Sequence, residues 1–135
     1  MKHDDPVRVF LAERGCPDDL VSGGLEGLVV EWERTVKQVE TAYPLGLDDY
    51  LNDLDGRQLL EDAFELAPAP ERAAASARVQ AADERMRKRV RLVGECLWGA
   101  RVAASEGWTT AANWWYFAVP LHPGPTLRED LDPSE

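Results

Sequence analysis

The chain reads as a single all-α domain. Apolar residues recur at helical spacing along most of its length, no stretch keeps strand-like alternation, and proline and glycine punctuate the periodic segments. With 135 residues there is room for one hydrophobic core, because independent domains most often run to about 100–150 residues. The sequence predicts a compact bundle of about five or six helices over residues 1–119, with a linker-like turn at 68–70. A proline-rich tail over 120–135 is expected to pack on the domain as an extended strap or to be mobile.

Asp5-Pro6 supplies a cap and a first-turn proline, Val7, Phe10 and Leu11 an apolar stripe, and Gly15 a stop, so a short helix opens the chain. Pro17-Asp18-Asp19-Leu20-Val21 adds one turn, which Gly23-Gly24 should end. The clearest amphipathic helix follows: Leu25, Leu28, Val29, Trp32, Val36, Val39 and Tyr43 share one face, and it must stop at Pro44. Leu47, Tyr50, Leu51 and Leu54 form a further stripe. A break is expected near Gly56, where Asp55 and Gln58 have the spacing of a capping box. Leu59, Leu60, Ala63, Phe64 and Ala67 then continue to Pro68-Ala69-Pro70.

Val79, Ala82, Met86, Val90, Val93, Leu97 and Ala100 form a heptad-like seam within a helix predicted over Glu71–Ser105. A straight helix of that length would measure about 52 Å, against a radius of gyration near 14 Å for a globule of this size. The helix should therefore break at Gly94 or Gly99, or project its Ala-rich start and pair with another helix; a homodimer through the 79–100 seam is the corresponding expectation. Thr109 or Thr110 can cap a last short helix carrying Trp114, Trp115, Tyr116 and Phe117, which Pro120 ends.

Charge narrows the function classes. The chain has 25 acidic and 15 basic residues, a formal net charge of −10. Residues 1–67 hold 16 acids and 6 bases, and residues 68–135 hold 9 of each. Such a balance disfavours nucleic acid and anionic membrane surfaces. The basic run Arg85, Arg87, Lys88, Arg89 and Arg91 spreads around a helix without forming a stripe, so its expected partners are acids of the first half or of another copy. No segment approaches the roughly 18 apolar residues of a membrane span, and the start lacks the apolar stretch of a secretory signal, so a cytoplasmic location is expected. Cys16 and Cys96 match no metal or redox spacing and read as free thiols.

Two clusters are candidate sites. Asp48, Asp49, Asp53, Asp62 and Glu65 could supply oxygen ligands to Mg²⁺ or Mn²⁺ in a metal-dependent hydrolase of a nucleotide or other phosphate compound. A calcium loop placed on Gly56 fails, because Leu51 would stand where the first carboxylate is needed. The opposing reading is that these acids cap helix starts and line solvated faces. Trp114, Trp115 and Tyr116 form the second cluster: successive helical residues lie about 100° apart, so at least one should be exposed or covered by the tail. An exposed aromatic there would make a partner-binding anchor, joined by the acidic patch of Asp48, Asp49 and Asp53. A small-molecule pocket among Trp32, Trp98 and Trp114 is a further option without a ligand signal. His3 and His122 belong to no nucleophile, base and carboxylate set.

In type alone, the compact acidic helical character is similar to bacterial immunity proteins, antitoxins and small adaptors, a likeness that transfers no residue. The expected role is a non-enzymatic protein–protein interaction module with a partner that could be basic and with no cofactor; the metal-dependent hydrolase is the alternative.

Overall fold

A computed structural model describes residues 5–131. Among them are six α-helices and one two-stranded sheet, so the all-α expectation holds. Helix α1 (Pro6–Glu13) starts where Asp5 accepts a hydrogen bond from the Val7 amide at 2.9 Å, and it ends before Gly15 in the left-handed region. Helix α2 (Asp18–Glu40) carries a kink at Gly24, with φ 58° and ψ −151°, at the predicted break. Beyond the kink, Leu25, Leu28, Val29, Trp32, Val36 and Val39 are all buried, matching the predicted stripe.

Helix α3 (Leu47–Leu66) runs unbroken through Gly56, contrary to the capping-box expectation. Leu51, Leu54, Arg57 and Leu60 keep one face buried on both sides of the glycine, and that packing holds the helix together. Asp55, freed from capping, accepts hydrogen bonds from the Tyr116 hydroxyl at 2.7 Å and from Trp98 Nε1 at 3.1 Å.

The largest correction concerns residues 71–105. Helix α4 (Ala69–Arg87) ends at Lys88, earlier than either Gly94 or Gly99, and the chain turns into strand β1 (Val90–Leu92). Helix α5 (Ala100–Glu106) is a separate element. A 3₁₀ turn (Trp114–Phe117) leads into strand β2 (Ala118–Pro120), which pairs antiparallel with β1 as Val90↔Pro120, Arg91↔Val119 and Leu92↔Ala118. The heptad-like spacing is real only through Met86. Val90 fits the next helical position but is buried from a strand, and Ala100 is exposed. Ala82, Met86 and Val90 face the chain's own core, while Val79, Val93 and Leu97 are partly buried and Ala100 is exposed.

The tail also folds. It leaves from the end of β2, which is held to α3 by the Tyr50 hydroxyl donating to the Ala118 carbonyl at 2.6 Å. Gly124 lies against the Tyr43 carbonyl so closely that a side chain there would collide with it. Helix α6 (Pro125–Leu131) then buries Leu127, and Asp130 accepts from the Leu47 amide at 2.8 Å, satisfying a free donor at the start of α3. Residues 132–135 and His3 lie outside the described residues.

Candidate functional site

Helix α2 packs between two very different charged surroundings. On its α4 side the ion pairs close within the chain. Arg78 pairs with Glu26 at 2.8 Å and with Glu33 at 2.7 Å, and Arg85 pairs with Glu40 at 2.7 Å. The constant offset of 45 residues for Glu33–Arg78 and Glu40–Arg85 shows the two helices running parallel, side by side. These bonds, first of all the hydrogen bonds from the guanidinium groups, hold the Glu33 and Glu40 carboxyls below the ordinary glutamate range. The expected attraction between the acidic first half and the basic run is realised in part: among the described residues Arg85 alone of that run pairs with an acid, and Arg87 lies over the Trp114 ring.

Deeper in the same region sits Arg57, 5% exposed. It donates to both oxygens of Asp83, at 3.1 and 2.8 Å, and to Glu61 at 3.0 Å, while Trp32 Nε1 adds a bond to Asp83 at 2.9 Å. The guanidinium lies 4.3 Å from the centre of the Trp115 ring. Burial alone would depress its pKa, but the bonds to Asp83, then those to Glu61, outweigh that and leave it raised. This network joins α3, α4 and the 3₁₀ turn. Every charged partner in it is satisfied inside the fold, so it is a structural element.

The other side of α2, facing α3, is open. There a groove of about 540 Å³ has Leu28 and Trp32 at its base and Asp19, Glu31, Asp53 and Asp55 around its mouth. A second cavity of about 570 Å³ shares Cys16, Asp55 and Leu59 with the first, so the two are neighbouring lobes along the same side of α3. Asp62, Glu106, Trp108 and Tyr116 line this second lobe together with Arg14. Trp108 is stacked on Tyr116 with ring centroids 3.8 Å apart. Among the described residues no cation lies within ion-pair distance of Asp19, Asp53, Asp55 or Asp62, whereas Glu31 pairs with the exposed Arg34 at 3.0 Å. Burial pushes the Asp53 carboxyl pKa above the ordinary aspartate value; the hydrogen bond it accepts from the Tyr43 hydroxyl opposes this, and the charges of Asp49 and Glu31 add to it.

The predicted site residues are dispersed by this arrangement. Asp53 lines the groove, and Asp62 lines the second lobe while accepting from Gln58 at 3.1 Å. Asp48 and Asp49 lie exposed in the first turn of α3, where negative charge suits the helix dipole, and Glu65 is exposed near its other end. Among the described residues no three His, Cys, Asp or Glu side chains converge in a way that could hold a metal ion. Trp114, Trp115 and Tyr116 are 5%, 1% and 1% exposed, so none offers an exposed anchor. The 3₁₀ turn lets each find its own neighbours: Trp114 meets Trp32 edge-on at 6.5 Å, Trp115 meets Arg57, and Tyr116 meets Trp108. Trp98 is 40% exposed and bonded to Asp55, apart from the Trp32–Trp114 pair, so the proposed tryptophan pocket does not form.

Asp19, Glu31 and Gly27 were not singled out in the sequence, since α2 brings them to α3 only by tertiary packing. Gly56 did carry a signal: a glycine inside a strong helical pattern costs about 0.5–1 kcal/mol relative to alanine and calls for a reason. Cys16 is half-buried and Cys96 buried, and both are free thiols. No helix among the described residues is long and apolar enough to cross a membrane. No family model, no curated protein and no solved structure matches the chain.

Proposed function

We propose that the chain is a non-enzymatic protein-recognition module whose partner is basic. The observation that supports this reading is the uneven use of its carboxylates. Glu26, Glu33, Glu40 and Asp83 are matched to arginines of the same chain, whereas Asp19, Asp53 and Asp55 line the α2–α3 groove and Asp62 the neighbouring lobe with no cation among the described residues within ion-pair reach. Carboxylates held together in a concave surface raise the local potential and attract a cationic partner, an effect that weakens as salt rises.

The direct test is chemical crosslinking of the full chain to proteins of its native lysate at low and at high salt, with the crosslinked positions mapped by mass spectrometry. Crosslinks to a basic protein that lie on residues 18–62 and fade with salt are expected. Recovery of the chain alone at both salt concentrations would overturn the reading. A rise in melting midpoint on adding Mg²⁺, abolished by Asp53→Asn, would overturn its non-enzymatic half in favour of metal-assisted hydrolysis.

A further inference from the structure

We infer that the α2–α3 groove is a docking site for a short segment of a partner protein in which an apolar or aromatic side chain is flanked by lysine or arginine. This rests on the recognition reading above and adds the location and the chemistry of the contact.

Glycine carries the first part of the argument. Gly27 on α2 and Gly56 on α3 both line the groove, one from each wall. Both sit in helical backbone, outside the set of glycines with positive φ, so neither backbone requires glycine. A Cβ at either position would meet nothing within 4 Å, so neither glycine serves close approach of the two helices. Both glycines leave open space beside them in the cavity that Leu28 and Trp32 also line. Two residues that weaken their own helices and fill no packing need are explained by an occupant that enters from outside.

Charge and length define that occupant. An apolar base with Asp19, Glu31, Asp53 and Asp55 around it complements an apolar side chain with cations on either side. The two lobes follow α3 from Asn52 to Asp62, a rise of about 15 Å. That equals about five residues of extended chain or about ten of helix. A small cationic molecule would fill one lobe; the two-lobed length matches a polypeptide segment.

The probe is a fluorescein-labelled peptide of about five residues, a central tryptophan with two arginines on each side, a length that as extended chain matches the span along α3. Control peptides replace the tryptophan by alanine or the arginines by glutamate, and binding to the full chain is read by fluorescence anisotropy. The wild type is expected to bind the probe roughly tenfold or more tightly than either control. Gly56→Leu and Gly27→Leu, which fill the groove from opposite walls, are each expected to weaken binding by roughly tenfold or more while melting at or above the wild-type midpoint. Asp19→Asn combined with Glu31→Gln should weaken binding and flatten its salt dependence.

Amide shift mapping on the unmodified chain supplies a readout independent of any variant: the Gly27 and Gly56 signals should move on adding the probe. Unchanged affinity in folded groove-filling variants, shifts confined to another surface, or absence of probe binding would each overturn the groove proposal. If lysate crosslinks persist unchanged in Gly56→Leu, recognition stands and the groove is the wrong place. Absence of any crosslinked partner overturns recognition itself.

Discussion

The two flanks of helix α2 use the same kinds of side chain to opposite ends. Toward α4, Glu26, Glu33 and Glu40 are each bonded to Arg78 or Arg85, and beneath them Trp32 and Arg57 converge on Asp83. Toward α3, Asp53, Asp55 and Asp62 have only hydroxyl, indole or amide partners, Glu31 is bonded to the exposed Arg34, and glycines line the groove between the helices. The comparison teaches that a net charge of −10 is not spread as a uniform shell. The α4 flank is neutralised and closed, while on the α3 flank Asp53, Asp55 and Asp62 have no cation among the described residues within ion-pair distance. Stability should therefore depend mainly on the first flank and binding on the second.

The sharpest way to break that division is Arg57→Ala. The substitution leaves Asp83, whose side chain is 18% exposed, without its bidentate partner and removes the cation lying over Trp115. Removing one member of a buried pair typically costs about 3–5 kcal/mol, because the remaining charge is uncompensated. Denaturant unfolding should show a loss of this size with an unchanged slope. Replacing both partners, as Arg57→Met with Asp83→Leu, should recover much of it, since an apolar pair of similar volume is often neutral. A comparably small effect of Arg57→Ala alone would mean that water reaches Asp83 and that the flank is less closed than its geometry indicates.

The opposite flank should respond with the opposite sign. Gly56→Ala adds a methyl group that meets nothing within 4 Å on an unstrained helical backbone. It should stabilise the chain by about 0.5–1 kcal/mol, raising the midpoint of thermal unfolding. Gly24→Ala is the control, because φ there is 58° and a Cβ is strained in that region; it should destabilise. If Gly56→Ala were destabilising instead, Gly56 would be serving helix packing and the groove would lose its main support.

Legibility in the sequence followed the range of the interactions. Helix α1, the Gly24 kink and the α2 stripe through Val39 depend on residues a few positions apart, and all were readable; the stop was misplaced, since α2 ends at Glu40, Ala42 turns with φ 76°, and Tyr43 is buried from outside the helix. Strand β1 was not, because Val90–Leu92 becomes a strand only by pairing with Ala118–Pro120, nearly thirty residues on. Its valine also continued the helical spacing of Val79, Ala82 and Met86, so local periodicity favoured the wrong state. At Asp55-Gly56 the local capping signal was outweighed by burial of Leu54, Arg57 and Leu60 around it. For the same reason Asp53 was identified as a site residue whereas Asp19 and Glu31 were not. The acidic run on α3 is visible along the chain, but the facing wall exists only once α2 and α3 pack.

The smallest expected effects sharpen the comparison through pH. Glu33 has its folded pKa below the ordinary glutamate value of 4.5, chiefly through the hydrogen bond from Arg78. Its contribution to stability is therefore present above 4.5 and is lost as pH falls through the lowered value. Arg78→Met should remove that dependence. With side chains 38% and 33% exposed, the Arg78–Glu33 pair is screened by solvent, so the cost at neutral pH should be about 1 kcal/mol or less. Asp53 runs the other way. Burial raises its folded pKa above the ordinary aspartate value of 3.8, so its contribution is present when protonated and is lost as pH rises through the raised value. Asp53→Asn, which keeps an oxygen to accept from Tyr43, should accordingly gain on the wild type as pH rises from the ordinary value of 3.8 through the raised one. Urea unfolding at a series of pH values checks both: the difference from wild type should grow with pH as a loss for Arg78→Met and as a gain for Asp53→Asn. Parallel curves for the two variants would mean that the flanks of α2 are electrostatically alike.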